Sequence, residues 1–128
     1  MVQEQPQATE QVAISAPPAP ASRPASNGCE PIISLLEQYD WDTRIALAII
    51  KAESGCNTNA VGDNYPINGL YAPSCGYAQI RTLTGRPTCE QLQDPATNIA
   101  WMYKISGGGT NWRPWSVFAS GKYLQYIN

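Results

Sequence analysis

The sequence predicts a mainly α-helical domain of the α+β class, in which helices flank a small irregular β/loop region beside a cleft and two disulfides staple the whole. Three observations predict it. Apolar residues recur at three- and four-residue spacing in separate stretches. An Asn-, Gly-, Asp- and Pro-rich stretch, residues 56–73, interrupts them. Four cysteines stand at positions 29, 56, 75 and 89, without the C-x-x-C pair that would suggest a metal or redox motif.

The chain has 128 residues, and its apolar material is unevenly spread. Residues 1–28 hold five prolines, six alanines and no aromatic residue, and the run Ala16-Pro17-Pro18-Ala19-Pro20 cannot donate a continuous backbone ladder. They read as a disordered Pro/Ala-rich linker. All twelve aromatic residues lie after position 38, so residues 29–128 form the folded domain. That part carries seven basic and eight acidic side chains, and no basic patch argues for nucleic acid. No stretch is long enough to span a membrane, and a monomer is expected. With no histidine in the chain, Ser/His and Cys/His nucleophile pairs are excluded. Only Cys and carboxylates remain as zinc ligands, so neither metal nor cofactor is expected. Disulfides persist in oxidising compartments, which points to a secreted or cell-envelope location. The chain opens without an apolar signal segment, so the expectation is a mature form behind an added Met1, or export by another route.

Pro31 suits the first turn of a helix through Ile32, Ile33, Leu35, Leu36 and Tyr39 that ends near Asp40. Asp42 or Thr43 offers an N-cap for a second helix over residues 44–53, closed by Gly55. Its Ile45, Leu47, Ile49 and Ile50 are too apolar all round for a surface helix, which makes it the central, buried one. Residues 56–73 form a long loop or irregular hairpin, of a length that is usually functional. Residues 75–80 read as a short extended stretch and 82–87 as turn. Asp94-Pro95 opens a helix through Ile99, Met102, Tyr103 and Ile105 that the run Gly107-Gly108-Gly109 ends. In the last segment Trp115, Phe118 and Leu124 are expected to face inward.

Glu53 is the first residue with chemical meaning. It lies four residues after Ile49 on the buried helix and at its very end. A carboxyl group among apolar neighbours resists ionising and keeps its proton near neutral pH, as a general acid must. The structural alternative is an exposed helix-end glutamate paired with Lys51 or Arg81. Pyranose rings stack on aromatic faces, so Tyr65, Tyr71 and Tyr77, in or near the loop, are candidate sugar contacts. Trp101, Trp112 and Trp115 read as core or lid residues.

Four blocks follow in order: Glu53-Ser54-Gly55-Cys56-Asn57, Asn59-Ala60-Val61-Gly62-Asp63, Gly76-Tyr77-Ala78-Gln79-Ile80 and Asp94-Pro95-Ala96-Thr97-Asn98-Ile99. Together they resemble the lytic transglycosylase and goose-type lysozyme group of the lysozyme-like superfamily. The resemblance implies that Glu53 is the catalytic acid, that Ser54 supports the end of its helix, and that Gln79 lines the sugar cleft from a strand that crosses it. For Gln79 the structural alternative is a residue that caps neighbouring backbone groups. Asp94, Pro95 and Asn98 are read as starting and capping a helix. Where the group carries a late tyrosine near the acid, this chain has Phe118, so a hydroxyl must come from elsewhere, with Tyr103 the candidate. Ser54, Tyr77, Gln79 and Tyr103 thus make up the expected substrate-binding set. The stretch between Glu53 and Gln79 is longer than usual in the group. A Cys56–Cys75 staple across its base, with Cys29 paired to Cys89, is the favoured pairing, and the two others stay open.

The resemblance also implies the substrate, peptidoglycan glycan strands, and the bond, the β-1,4 link between N-acetylmuramic acid and N-acetylglucosamine. Hydrolysis normally needs two carboxylates, and Asp63 is the candidate second one, although in Gly62-Asp63-Asn64 it equally suits a turn. With Glu53 alone the expected route is that of a lytic transglycosylase, ending in a 1,6-anhydro sugar. That route is favoured, with hydrolysis through Asp63 the alternative. From another class, the domain would be a catalytically silent wall-binding module.

Overall fold

The computed structural model describes residues 28–63, 66, 67 and 69–127. The linker expectation for 1–28, Gly28 apart, and the cleft role of Tyr65 lie outside them. Helix α1 (Glu30–Leu36) carries Pro31 in its first turn and buries Ile32 and Leu36. It stops short of the expected Tyr39. Gln38 and Tyr39 donate to carbonyls three residues back, and the Trp41 indole N–H donates to the Leu36 carbonyl at 2.8 Å, so a side chain takes the acceptor that another helical turn would need.

Helix α2 (Thr43–Ser54) forms as its caps dictate. The Asp42 carboxylate accepts from Arg44 N–H at 3.0 Å, and Gly55, at φ 63°, supplies the left-handed residue that ends it. Ala46, Ala48, Ile49 and Ile50 are fully buried, which places α2 at the centre of the core. Helix α4 (Pro95–Ile105) begins as expected, with the Asp94 carboxylate accepting from Thr97 N–H. Between them lies a helix that the apolar spacing did not reveal, α3 (Cys89–Leu92). Its signal is polar: Thr88 and Gln91 form a reciprocal capping box.

The loop region resolves into two-residue strands. β1 (Val61–Gly62), β4 (Ser74–Cys75) and β5 (Ile80–Arg81) form an antiparallel sheet in the order β1-β4-β5, while β2 (Pro66–Ile67) and β3 (Leu70–Tyr71) make a hairpin inserted after β1. The expected extended stretch at 75–80 is instead a reversal between β4 and β5. Gly76 at φ 80° and Gln79 at φ 51° turn the chain back, and Gln79 N–H donates to the Gly76 carbonyl. Asn98 does not cap its helix. Fully buried, it donates to the carbonyls of Cys75 and Leu92 and accepts from Ala78 N–H, which ties the reversal to α4. Leu124 is exposed rather than inward, because the chain after Ala119, the end of short helix α5 (Ser116–Ala119), winds into a 3₁₀ turn over Lys122–Tyr126. Tyr123 takes the inward place and stacks on Phe118, centroids 4.8 Å apart.

Both disulfides are present, but not in the favoured pairing: Cys29 bonds Cys56, and Cys75 bonds Cys89. The expected staple across the loop base is not needed. The β1–β4 ladder and the Gly76 N–H bond to the Ala60 carbonyl already close that base. Cys56 instead follows the α2 cap, where the start of α1 comes close, and buried Cys75 faces the first residue of α3. Converting Cys75 and Cys89 together to alanine opens a loop of 14 residues' separation and should cost about 3 kcal/mol. A lower urea midpoint, with a slope that steepens as the uncrosslinked denatured chain expands, is the expected reading. Among the described residues no helix is long and apolar enough to cross a membrane.

Candidate active site

Beside the end of α2 opens a cleft of about 430 Å³, lined by Glu53, Asp63, Gln79, Arg81, Arg86 and Trp115 among others. The helix brings Glu53 there from its last turn, half-buried. Burial, then the negative charge of Asp63, pushes the Glu53 carboxyl from 4.5 to about 7, against a smaller downward pull from Lys122. Among the described residues no side chain hydrogen-bonds or ion-pairs with it, so neither Lys51 nor Arg81 is its partner. The carboxyl is therefore neutral below neutral pH and free to give its proton to a bound group.

Asp63 reaches the same cleft from the residue after β1, in left-handed backbone at φ 54°. Ser74 Oγ donates to its Oδ2 at 2.5 Å, and Arg81 Nη1 stands 3.6 Å from the same oxygen. Gln79 lines the cleft and also bonds backbone: its Nε2 donates to the carbonyls of Ala60 at 3.1 Å and Gly76 at 3.0 Å. Its Oε1 leaves no room for a Cβ on Gly62, where one would lie 2.6 Å away. The side chain thus clamps β1 and the residue before Asp63 onto the reversal.

Ser54, Tyr77 and Tyr103 do not line the cleft. Ser54 Oγ sits within 2.8 Å of the Tyr77 carbonyl and 3.2 Å of the Ile50 carbonyl, both acceptors for its hydroxyl. It joins the end of the Glu53 helix to the reversal. Tyr77 lies in the core, where burial raises its hydroxyl above the ordinary tyrosine range. Tyr103 packs against Tyr39 and Trp41 in an aromatic cluster that continues through Trp112 to Trp115. Trp115 closes that cluster at the cleft, and its indole N–H donates to the Ala78 carbonyl at 2.8 Å. The expected core role of Trp112 and Trp115 holds, since both are buried. Trp101 is half-buried, with Lys104 Nζ 4.5 Å above its ring. Tyr71 is 59% exposed on β3.

Sequence reasoning missed the cleft places of Ser74, Arg81 and Arg86, and the charge that Lys122 sets near Glu53. No local spacing marks them, because only the reversal at 76–79 sets the first three around the cleft and only the terminal turn brings Lys122 near Glu53. Neither curated proteins nor solved structures gave a match to this chain. The family profile described as "Lysozyme like domain" matches residues 38–117, from just before α2 into α5, so the chain belongs to the lysozyme-like domain family.

Proposed function

We propose that this protein is a lytic transglycosylase that cleaves the β-1,4 bond between N-acetylmuramic acid and N-acetylglucosamine in peptidoglycan, with Glu53 as its single catalytic acid and base. Lysozyme-like domains are generally glycosidases that act on peptidoglycan, and the two disulfides suit work outside the cytoplasm. The observation that carries the finer reading is the half-buried Glu53 carboxyl in the cleft, without a hydrogen-bond or ion-pair partner among the described residues and raised to about 7. Neutral Glu53 gives its proton to the glycosidic oxygen as the C1–O bond breaks, and the substrate's acetamido carbonyl oxygen bonds C1. The Glu53 carboxylate then takes the proton from the sugar's 6-hydroxyl, whose oxygen attacks C1 and displaces the acetamido oxygen. No water is consumed, and Glu53 ends protonated again.

Asp63 supports a second reading, hydrolysis by two carboxylates, because it lines the same cleft. Digestion of purified wall decides between them: muropeptides lighter by one water mean transglycosylation, and reducible ends mean hydrolysis. Asp63→Asn gives a companion test. On the single-acid route the variant still cleaves, but losing the Asp63 charge that helps raise Glu53 moves the alkaline fall of activity to lower pH. On the hydrolytic route turnover falls by about 10²-fold or more at every pH.

A further inference from the structure

The cleft has a second chemical character besides acid catalysis. Its lining carries two guanidinium groups, Arg81 and Arg86, against Asp63 and the Glu53 carboxyl, in a chain of net charge −2. Arg81 faces Asp63, as given above. Arg86 stands apart from both carboxylates, half-buried in the segment between β5 and α3. A backbone turn from its N–H to the Leu83 carbonyl, 3.0 Å, holds that segment. Its Nη1 donates to the Arg81 carbonyl at 3.3 Å, which fixes the guanidinium while leaving further donors and the whole charge for another partner. A carbonyl orients an arginine but does not neutralise it. A planar, oriented guanidinium on a cleft wall matches a carboxylate better than any neutral sugar hydroxyl.

We infer that Arg86 forms an anion-reading subsite, which binds a carboxylate carried by the glycan and selects charged over neutral N-acetyl-sugar polymers. The inference rests on the reading that the cleft takes peptidoglycan. Two carboxylates of that polymer share the needed chemistry: the lactyl group of muramic acid, bare where the peptide is missing, and the acidic positions of the peptide stem. Chitin oligomers, with the same backbone linkage and acetamido groups, have neither.

The test is binding, measured by calorimetry in a Glu53→Gln background so that nothing is turned over. The full chain is titrated with three ligands of equal length: stem-bearing glycan, stem-stripped glycan and a chitin oligomer. A carboxylate-bearing ligand should bind about tenfold tighter than the chitin oligomer, with the advantage shrinking as salt rises. Arg86→Gln should bring that ratio close to one, and Arg86→Lys should keep part of it. Preference for the stripped glycan as well as the stem-bearing one identifies the lactyl carboxylate, whereas preference for the stem-bearing ligand alone identifies the stem, and both support the subsite. Equal binding of charged and neutral ligands, or a preference that survives in Arg86→Gln with near-ultraviolet circular dichroism unchanged, overturns it while leaving the glycan reading intact. Failure of all three ligands to bind overturns both.

Discussion

Glu53→Gln should abolish wall lysis, lowering the rate by at least about 10³-fold, while leaving the fold intact and the melt cooperative. The amide keeps the shape of the side chain but has no proton to give at pH 5–8. Turbidity clearance of purified wall is the measurement, and clearance near the wild-type rate in a folded variant would sink the assignment. The same variant should be more stable than the parent at alkaline pH. A folded-state value of about 7 against 4.5 means that Glu53 favours the fold below pH 4.5, and that this contribution is lost as pH rises through 7. Discounted for the group's partial exposure, the gain at pH 8 is on the order of 1 kcal/mol, or about 5 °C in Tm. At pH 4 the two proteins should melt together. Wild-type lysis should itself fall off above about pH 7, as the acid loses its proton.

Gly76→Ala should be the most damaging single substitution outside the core. Its backbone is left-handed at φ 80°, and a Cβ there would lie 2.2 Å from Asn98 Nδ2 and 2.3 Å from the Leu92 carbonyl oxygen. Neither neighbour has freedom to retreat. Asn98 is fully buried and holds three backbone groups, and the Leu92 carbonyl belongs to α3. Left-handed strain of about 1 kcal/mol adds to broken buried hydrogen bonds at about 1–3 kcal/mol each, for a loss of about 4 kcal/mol. That lowers Tm by on the order of 20 °C. Gly85→Ala is the control: its φ is 88°, but nothing stands within 4 Å, so only the strain remains. Equal melting losses in the two variants would show that strain alone, without the clash, governs Gly76. Lysis should fall along with stability in Gly76→Ala, because this reversal carries Gln79 and accepts the Ser54 hydroxyl.

The long helices and the position of Glu53 were legible in the sequence because their signals are local. Asp42 and Gly55 bracket α2, Asp94-Pro95 opens α4, and Glu53 sits at a position that both helix geometry and the ordered motifs single out. Gln79 and Asp63 were legible as cleft candidates through the same motifs. What escaped depends on chain reversal. A stretch that alternates as Tyr77-Ala78-Gln79-Ile80 does reads as extended, until positive φ at Gly76 and Gln79 folds it back. The disulfide pairing followed that error, since a strand at 75–80 would leave Cys75 facing the loop base rather than the start of α3. Arg86 was illegible for the same reason: only the reversal sets the segment after β5 on the cleft wall.

The stretch that matches the family ends at residue 117, yet the surroundings of the acid do not. The 3₁₀ turn at Lys122–Tyr126 packs against the Glu53 helix, and the Lys122 charge reaches the carboxyl. On the proposed mechanism, residues outside the cleft thereby hold a share of the acid's working range. On that mechanism, exchanging the tail should shift the pH range of lysis with every cleft residue left in place.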